Sequence, residues 1–236
     1  CGLFGILVKK KQSKNNYSLL RKDIEILTKK SEQRGSDTFG VLIKDQSKNS
    51  IFKINEDPSS ALKRKDFKLF LKDELNNNSD YVSILAQTRL VTNGSKFSEK
   101  NNQPLLTENI IGVHNGIFVN LELNNENEKT KNYESISVKS DSLKFFEKLS
   151  NSSDHNNFIK NYKDILNEMR GNYTIAFALK EYDEVFIASN CGSLFYYYDK
   201  ANNFFAFASE KKILIDFLKI SDFIKYENIE INQSLV

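Results

Sequence analysis

The sequence predicts an α+β fold in layers, with two β-sheets facing each other and helices outside. Three observations carry this. Strand-like runs fall into two clusters with helical stretches between them. Hydrophobic residues make up 39%, with 18 Phe and 10 Tyr, enough to bury a sizeable core. No repeat, low-complexity linker or composition shift interrupts the 236 residues. Residues 1–236 therefore read as one domain, with about 216–236 as a peripheral C-terminal segment.

Residues 2–8, in "CGLFGILV", form an apolar run of the kind a buried strand shows. "KKKQSKNN" is a solvated loop. Leu20, Ile24 and Leu27 sit at helical spacing, so residues 17–31 read as a helix that "QRGSD" breaks. Residues 38–44 and 50–54 are strands joined by a turn. Asp57-Pro58 and two serines start a helix that continues to about Leu75. Residues 81–91 form a strand leading into "TNGSKFSEKNNQPLL", a long polar loop with the character of a lid. Residues 110–120 read as two short strands about a turn at Asn115-Gly116, the best hairpin signal in the chain. Residues 122–140 are polar and show no pattern. Helices follow near 141–150 and 155–168, then four strands in quick succession, a helix near 209–218 and a weakly strand-like tail.

Composition excludes several function classes. Formal net charge is only +3, and lysines are scattered without a basic stripe bearing interleaved aromatics, so nucleic acid is not expected as a partner. No apolar run approaches the 18 residues of a membrane span. Two cysteines and two histidines lie far apart without zinc-type spacing, so neither a disulfide framework nor a metal site is expected. No cofactor is implied. A cytoplasmic location is the expectation, where a free thiol stays reduced.

Cys1 raises a sharper question, because the one methionine is Met169. It is an incidental end, a lipidated cysteine, or a nucleophile exposed by processing. A lipid anchor predicts a polar tether after the cysteine, and the apolar run beginning at Leu3 is the opposite. A thiol at the N-terminus carries its own base. The α-amine has an ordinary pKa of about 7.7–8.0, close to neutrality, and can activate the nucleophile without a histidine.

Eight motifs occur in one order: "CGLFGI", "RGSD" at 34–37, "QTRLVTNG" at 87–94, "NQPL" at 102–105, "VHNGIFVN" at 113–120, "SDS" at 140–142, "RGNYTIAFAL" at 170–179 and "FASEKKIL" at 207–214. This ordered set resembles the glutaminase domain of class II, N-terminal-nucleophile glutamine amidotransferases, over residues 1 to about 215. The resemblance implies a four-layer αββα sandwich of the N-terminal nucleophile hydrolase type. It also implies an initiator methionine removed to free the α-amine of Cys1, and glutamine as substrate.

By resemblance, Cys1 is the nucleophile, and the Asn115 side-chain amide with the Gly116 backbone N–H forms the oxyanion hole. Arg89 would take the α-carboxylate of glutamine and Asp141 its α-ammonium, with Thr92 and Gly94 lining the pocket. The bland readings are a strand-end ion pair for Arg89 and a helix N-cap for Asp141. Arg34 and Asp37 would support the Cys1 end of the sheet or pair with each other. His114 reads as structural, His155 as exposed and Cys191 as a turn or buried thiol.

Three positions depart from the family pattern: Gln87 where histidine is common, Asn93 where one branch has histidine, and Leu143 where an acid is usual. They bear on the subfamily more than on the reaction. Members usually fuse this domain to a synthase that consumes the ammonia. A separate synthase subunit or a missing C-terminal synthase domain is therefore the expected partner. The alternatives are a stand-alone N-terminal-cysteine amidase on another γ-glutamyl or small amide, and a catalytically silent regulatory subunit.

Overall fold

The computed structural model describes residues 1–9, 16–76, 79–90, 101–122, 140–151, 157–222 and 232–233. In chain order the elements are β1 (Gly2–Lys9), α1 (Asn16–Ser31), a 3-10 turn (Glu32–Arg34), β2 (Thr38–Lys44), β3 (Asn49–Ile54), α2 (Pro58–Lys63), α3 (Lys65–Leu75), β4 (Tyr81–Arg89), β5 (Leu105–Leu106), β6 (Ile110–Phe118), α4 (Val119–Glu122), α5 (Asp141–Asn151), α6 (Phe158–Glu168), β7 (Gly171–Leu179), β8 (Val185–Ser189), β9 (Phe195–Asp199), β10 (Phe204–Ala208), α7 (Lys211–Ile220) and β11 (Asn232–Gln233). One sheet has the order β11-β9-β10-β1-β4-β2-β3 and the other β5-β6-β7-β8. The strand pairs are antiparallel.

Side-chain alternation sorts the strands into layers. In β1, Phe4, Ile6 and Val8 face Leu20, Ile24 and Leu27 of α1 and Ile213, Leu214 and Phe217 of α7. Leu3 points the other way and packs with Leu42, Leu85 and Phe207 against Ile111, Val113, Ala176 and Ala178 of the second sheet. The outer face of that sheet, with Ile175 and Phe177, is covered by Phe145, Phe146 and Leu149 of α5 and Phe158 and Ile165 of α6. The result is the αββα sandwich. Each fully buried Leu, Ile or Phe contributes about 1.5–3 kcal/mol by leaving water, which is why the aromatic-rich core suffices without cross-links.

Three local readings are corrected. The helix expected over 57–75 is broken at Arg64, which is extended (φ −67°, ψ 139°). Asp57 caps α2 by accepting from the Ser60 N–H at 2.8 Å. Ala61 and Phe67 are both buried but would lie about 120° apart on one continuous helix, at the margin of a single apolar stripe. The break rephases the chain so that Phe67, Leu71 and Leu75 all reach the core.

Residues 110–120 are not a hairpin. Residues 110–118 form one continuous strand, β6, in which Asn115 pairs with Thr174 and Gly116 with Tyr173 of β7, and Val119 and Asn120 begin α4. Gly116 has φ +125°, and a Cβ there would lie 1.9 Å from the Asn172 carbonyl oxygen. The Asn-Gly signal marked a positive φ, used here for close backbone approach inside a ladder and not for a turn.

The lid-like loop divides. Residues 92–100 lie outside the described residues, but Asn102, Gln103 and Leu105 are buried. Gly40 of β2 makes room for them, since a Cβ there would meet the Gln103 carbonyl oxygen at 2.0 Å.

Asp23 of α1 is fully buried. Burial raises its carboxyl pKa to about 7; Asp222 adds to the rise, while Ser221 and Lys22 oppose it. Between pH 4 and 7 the folded state thus holds a proton that the unfolded state has lost. Stability falls as pH rises through this window, by roughly 4 kcal/mol for this group. Asp23→Asn should remove that slope and melt higher than the parent at pH 8 but not at pH 4, as thermal denaturation across pH will read.

Candidate active site

The register of the first sheet builds one pole. Gly2 of β1 pairs with Thr88 of β4, and Thr38 of β2 pairs with Arg89. The first residue of the chain and the last residues of β4 therefore meet at the same edge. Ser209 fixes the start of β1, since the Leu3 N–H donates to its Oγ at 3.0 Å and its own N–H donates to the Leu3 carbonyl at 2.8 Å. This gives the "FASE" motif a physical role.

Cys1 is half-buried, and its Sγ donates to the Leu90 carbonyl at 3.7 Å. Burial, then the nearby Arg34 guanidinium, lowers the pKa of its α-amine below the ordinary 8.0. The amine is thereby neutral, and able to accept a proton, at a lower pH than a solvent-exposed N-terminus. Arg34 pairs with Glu210, Nε to Oε2 at 3.4 Å. The Asp37 N–H donates to the Arg89 carbonyl at 2.9 Å.

Asn115 stands beside Cys1. Its Nδ2 donates to the Cys1 carbonyl at 2.9 Å, and its Oδ1 accepts from Gln87 Nε2 at 2.9 Å. Strand alternation sends the neighbouring His114 to the opposite face. There its Nδ1 lies 2.7 Å from Ser142 Oγ and its ring stacks on Phe118 at 4.4 Å. Burial pushes the His114 pKa down to about 4 against the pull of Asp141. A ring that faces the helical layer, against Ser142 and Phe118, is turned away from Cys1 and cannot serve as its base.

Arg89 donates through Nη1 to Asn102 Oδ1 at 2.8 Å and to the Asn101 carbonyl at 3.2 Å. Asn102 in turn donates to Asn55 Oδ1, which fixes the Asn102 oxygen toward the guanidinium. Burial lowers the Arg89 pKa, and the carboxylates of Asp141 and Asp37 act to raise it. A guanidinium keeps its charge throughout. Asp141 opens α5 but does not cap it; Ser140 Oγ accepts from the Leu143 N–H at 3.2 Å. The Asp141 Oδ2 accepts instead from the Phe118 N–H at 2.8 Å, which ties the carboxylate to the end of β6 just past Gly116.

Five of the seven expected site residues, Cys1, Arg89, Asn115, Gly116 and Asp141, are thus brought to one pole. Thr92 and Gly94 lie outside the described residues, as does His155. Gln87, Gln103, Asn102 and Asn55 were not expected to support the site. Gln103 grips the β6 backbone beside Asn115: its Nε2 donates to the His114 carbonyl at 3.0 Å, and its Oε1 accepts from the His114 N–H. The "NQPL" motif was the one available signal for it.

Cys191 is exposed. Burial alone would raise its pKa, but hydrogen bonds with Ser189, Ser193 and Thr174 outweigh this and hold it at about 7. Among the described residues, no group of three or more His, Cys, Asp or Glu could hold a metal ion. No helix among them is long and apolar enough to cross a membrane.

The architecture is that of known amidotransferases. The structure of glutamine phosphoribosylpyrophosphate amidotransferase from B. subtilis, complexed with ADP and GMP, superposes with a TM-score of 0.61 at 19% identity, covering 92% of this chain and 43% of that one. A structure described as the allosteric regulatory enzyme of purine biosynthesis superposes with a TM-score of 0.62 at 21% identity and the same coverages. Both share with this chain the layered fold of two antiparallel sheets between helices.

The glutamine amidotransferase domain family matches residues 87–216, more than half of the chain, and the chain belongs to that family. Among curated proteins, 7-cyano-7-deazaguanine synthase 2 of Sulfurisphaera tokodaii is 28% identical over 249 residues, spanning 100% of this chain and 49% of its own length. The 7-cyano-7-deazaguanine synthase of Sulfolobus acidocaldarius is 26% identical over 207 residues, 85% of this chain and 41% of its own length. The chain spans about half or less of the relatives it matches.

Proposed function

We propose that residues 1–236 act as one glutaminase domain, with about 216–236 peripheral, which hydrolyses glutamine at Cys1 and passes the ammonia to a synthase. The observation that carries this reading is the Asn115 amide held between the Cys1 carbonyl and Gln87. Asn115 Nδ2 has two hydrogens. One is spent on Cys1, and the other can meet a substrate oxygen beside the thiol.

In this mechanism the α-amine of Cys1 takes the thiol proton, and sulfur attacks the side-chain carbonyl carbon of glutamine. The carbonyl electron pair moves to oxygen, where the Asn115 amide and the Gly116 N–H donate to the oxyanion. The ammonium then returns its proton to the leaving nitrogen, the C–N bond breaks and ammonia departs. Water, deprotonated by the same amine, cleaves the γ-glutamyl thioester to glutamate. Arg89 answers the α-carboxylate of glutamine and Asp141 the α-ammonium, so an amide lacking both α-groups is a poor substrate. The curated relatives are named as synthases and are about twice as long, which supports a synthase as ammonia acceptor, whether continuous with this chain or separate.

The test is glutamate release together with site mapping. A glutamine-like diazo-ketone should alkylate Cys1, and glutamine should protect it. A simple haloacetamide should also label Cys191, whose pKa of about 7 makes it reactive. Diazo-ketone label found on Cys191 instead of Cys1 contradicts the assignment.

A further inference from the structure

We propose that Gln87 is a positioning residue that fixes which end of the Asn115 amide faces the reacting carbonyl; this rests on the glutaminase reading above. Gln87 lies near the end of β4, 2% exposed. Leu85, two residues earlier on the same face, packs in the apolar layer between the sheets. Leu3, opposite Gln87 in the β1 register, packs in that layer as well. An apolar side chain at position 87 would continue the pattern. The carboxamide does not, and its Oε1 has no hydrogen-bond partner among the described residues, a cost that packing alone does not explain.

What the amide does is donate twice. Gln87 Nε2 donates to the His114 carbonyl and to Asn115 Oδ1. The first bond orients Gln87, because the reverse rotamer would set Oε1 against a carbonyl oxygen. The second orients Asn115. If the Asn115 amide turned over, its Nδ2 would face the Gln87 donors and its Oδ1 would face the Cys1 carbonyl. Two donors and two acceptors would then be opposed. In the observed orientation both ends are matched, and the second Nδ2 hydrogen remains available to an oxyanion. Gln103 fixes the same stretch of backbone through His114, so Gln87 acts on the side chain of a strand already held. Histidine is common here in the family; in this chain an amide bonds the β6 backbone and Asn115 together.

Gln87→Met keeps length and volume but removes both donors. Loss of an oriented oxyanion donor costs about 10²–10³-fold in kcat. Because the Cys1 carbonyl still biases Asn115, we expect kcat to fall roughly 10–10²-fold, with KM for glutamine nearly unchanged. The discriminating readout is glutamate γ-semialdehyde. Its carbonyl carbon bonds the Cys1 sulfur, the thiol proton passes to the α-amine, and the carbonyl electrons form an oxyanion with no leaving group. Affinity for this aldehyde should fall in step with kcat, while affinity for the product glutamate holds. Gln87→Glu replaces the donor with an acceptor and should lose more. If that variant does not fold, Gln87→Met still decides. A Gln87→Met protein with parental kcat and aldehyde affinity, or one losing aldehyde and glutamate affinity equally, overturns the assignment alone. A parent that neither releases glutamate nor binds the aldehyde overturns the functional reading and this assignment with it.

Discussion

Cys1→Ala should abolish glutamate release, by roughly 10⁴-fold or more, while the protein folds and melts like the parent. The chemistry loses its nucleophile, and neither His114 nor Cys191 can replace it. His114 faces the other side of the sheet against Ser142, and Cys191 is engaged with Ser189 and Thr174 on the second sheet. The fold loses little. Strand pairing begins at Gly2, the Cys1 side chain makes one long hydrogen bond among the described residues, to Leu90, and the Asn115 bond is to the Cys1 backbone. Cys1→Ser keeps a hydroxyl but not an acidic thiol and should be almost as inactive. Glutamate assays beside thermal denaturation check both halves of this expectation.

Blocking the α-amine should be nearly as damaging with the thiol untouched. A retained methionine or an acetyl group turns the amine into an amide, which cannot take up the thiol proton. Loss of a general base costs about 10²–10⁴-fold, and added atoms must also enter a partly buried pocket beside Arg34. The lowered pKa of the free amine sets the sign of the pH dependence. Activity requires the neutral amine, so it should rise with pH through a limb below 8 and then level off. Mass spectrometry of the N-terminus, paired with activity for processed and blocked forms, is the check. Full activity from a verified blocked protein refutes the N-terminal base.

Much of the fold was legible because its determinants are local. Near-continuous apolar runs at residues 2–8 and 38–44 mark strands buried on both faces, and helical spacing in α1 specifies which of its faces is buried, before any contact is known. The errors arose where a local rule serves a distant contact. Asn115-Gly116 carries the turn signature, yet Gly116 uses its positive φ to let the Asn172 carbonyl approach. Residues 102–105 read as polar surface, but Asn102 and Gln103 are buried because their side chains bond Arg89 and the His114 backbone. The site divides in the same way. Ordered motifs point to Cys1, Arg89, Asn115, Gly116 and Asp141 as candidates. Their supports Gln87 and Asn55 act across 28 and 47 residues of chain, and no spacing within one element marks such pairs.

The central claim is that glutamine is cleaved through an acyl group on the Cys1 sulfur, and interception by hydroxylamine tests it most directly. A thioester partitions between water and an added nucleophile after ammonia has left. With glutamine saturating, γ-glutamyl hydroxamate should appear at the expense of glutamate, and Cys1→Ala should form neither. Glutamate release that hydroxylamine leaves unchanged, with no hydroxamate formed, or turnover that survives Cys1→Ala, would contradict the account.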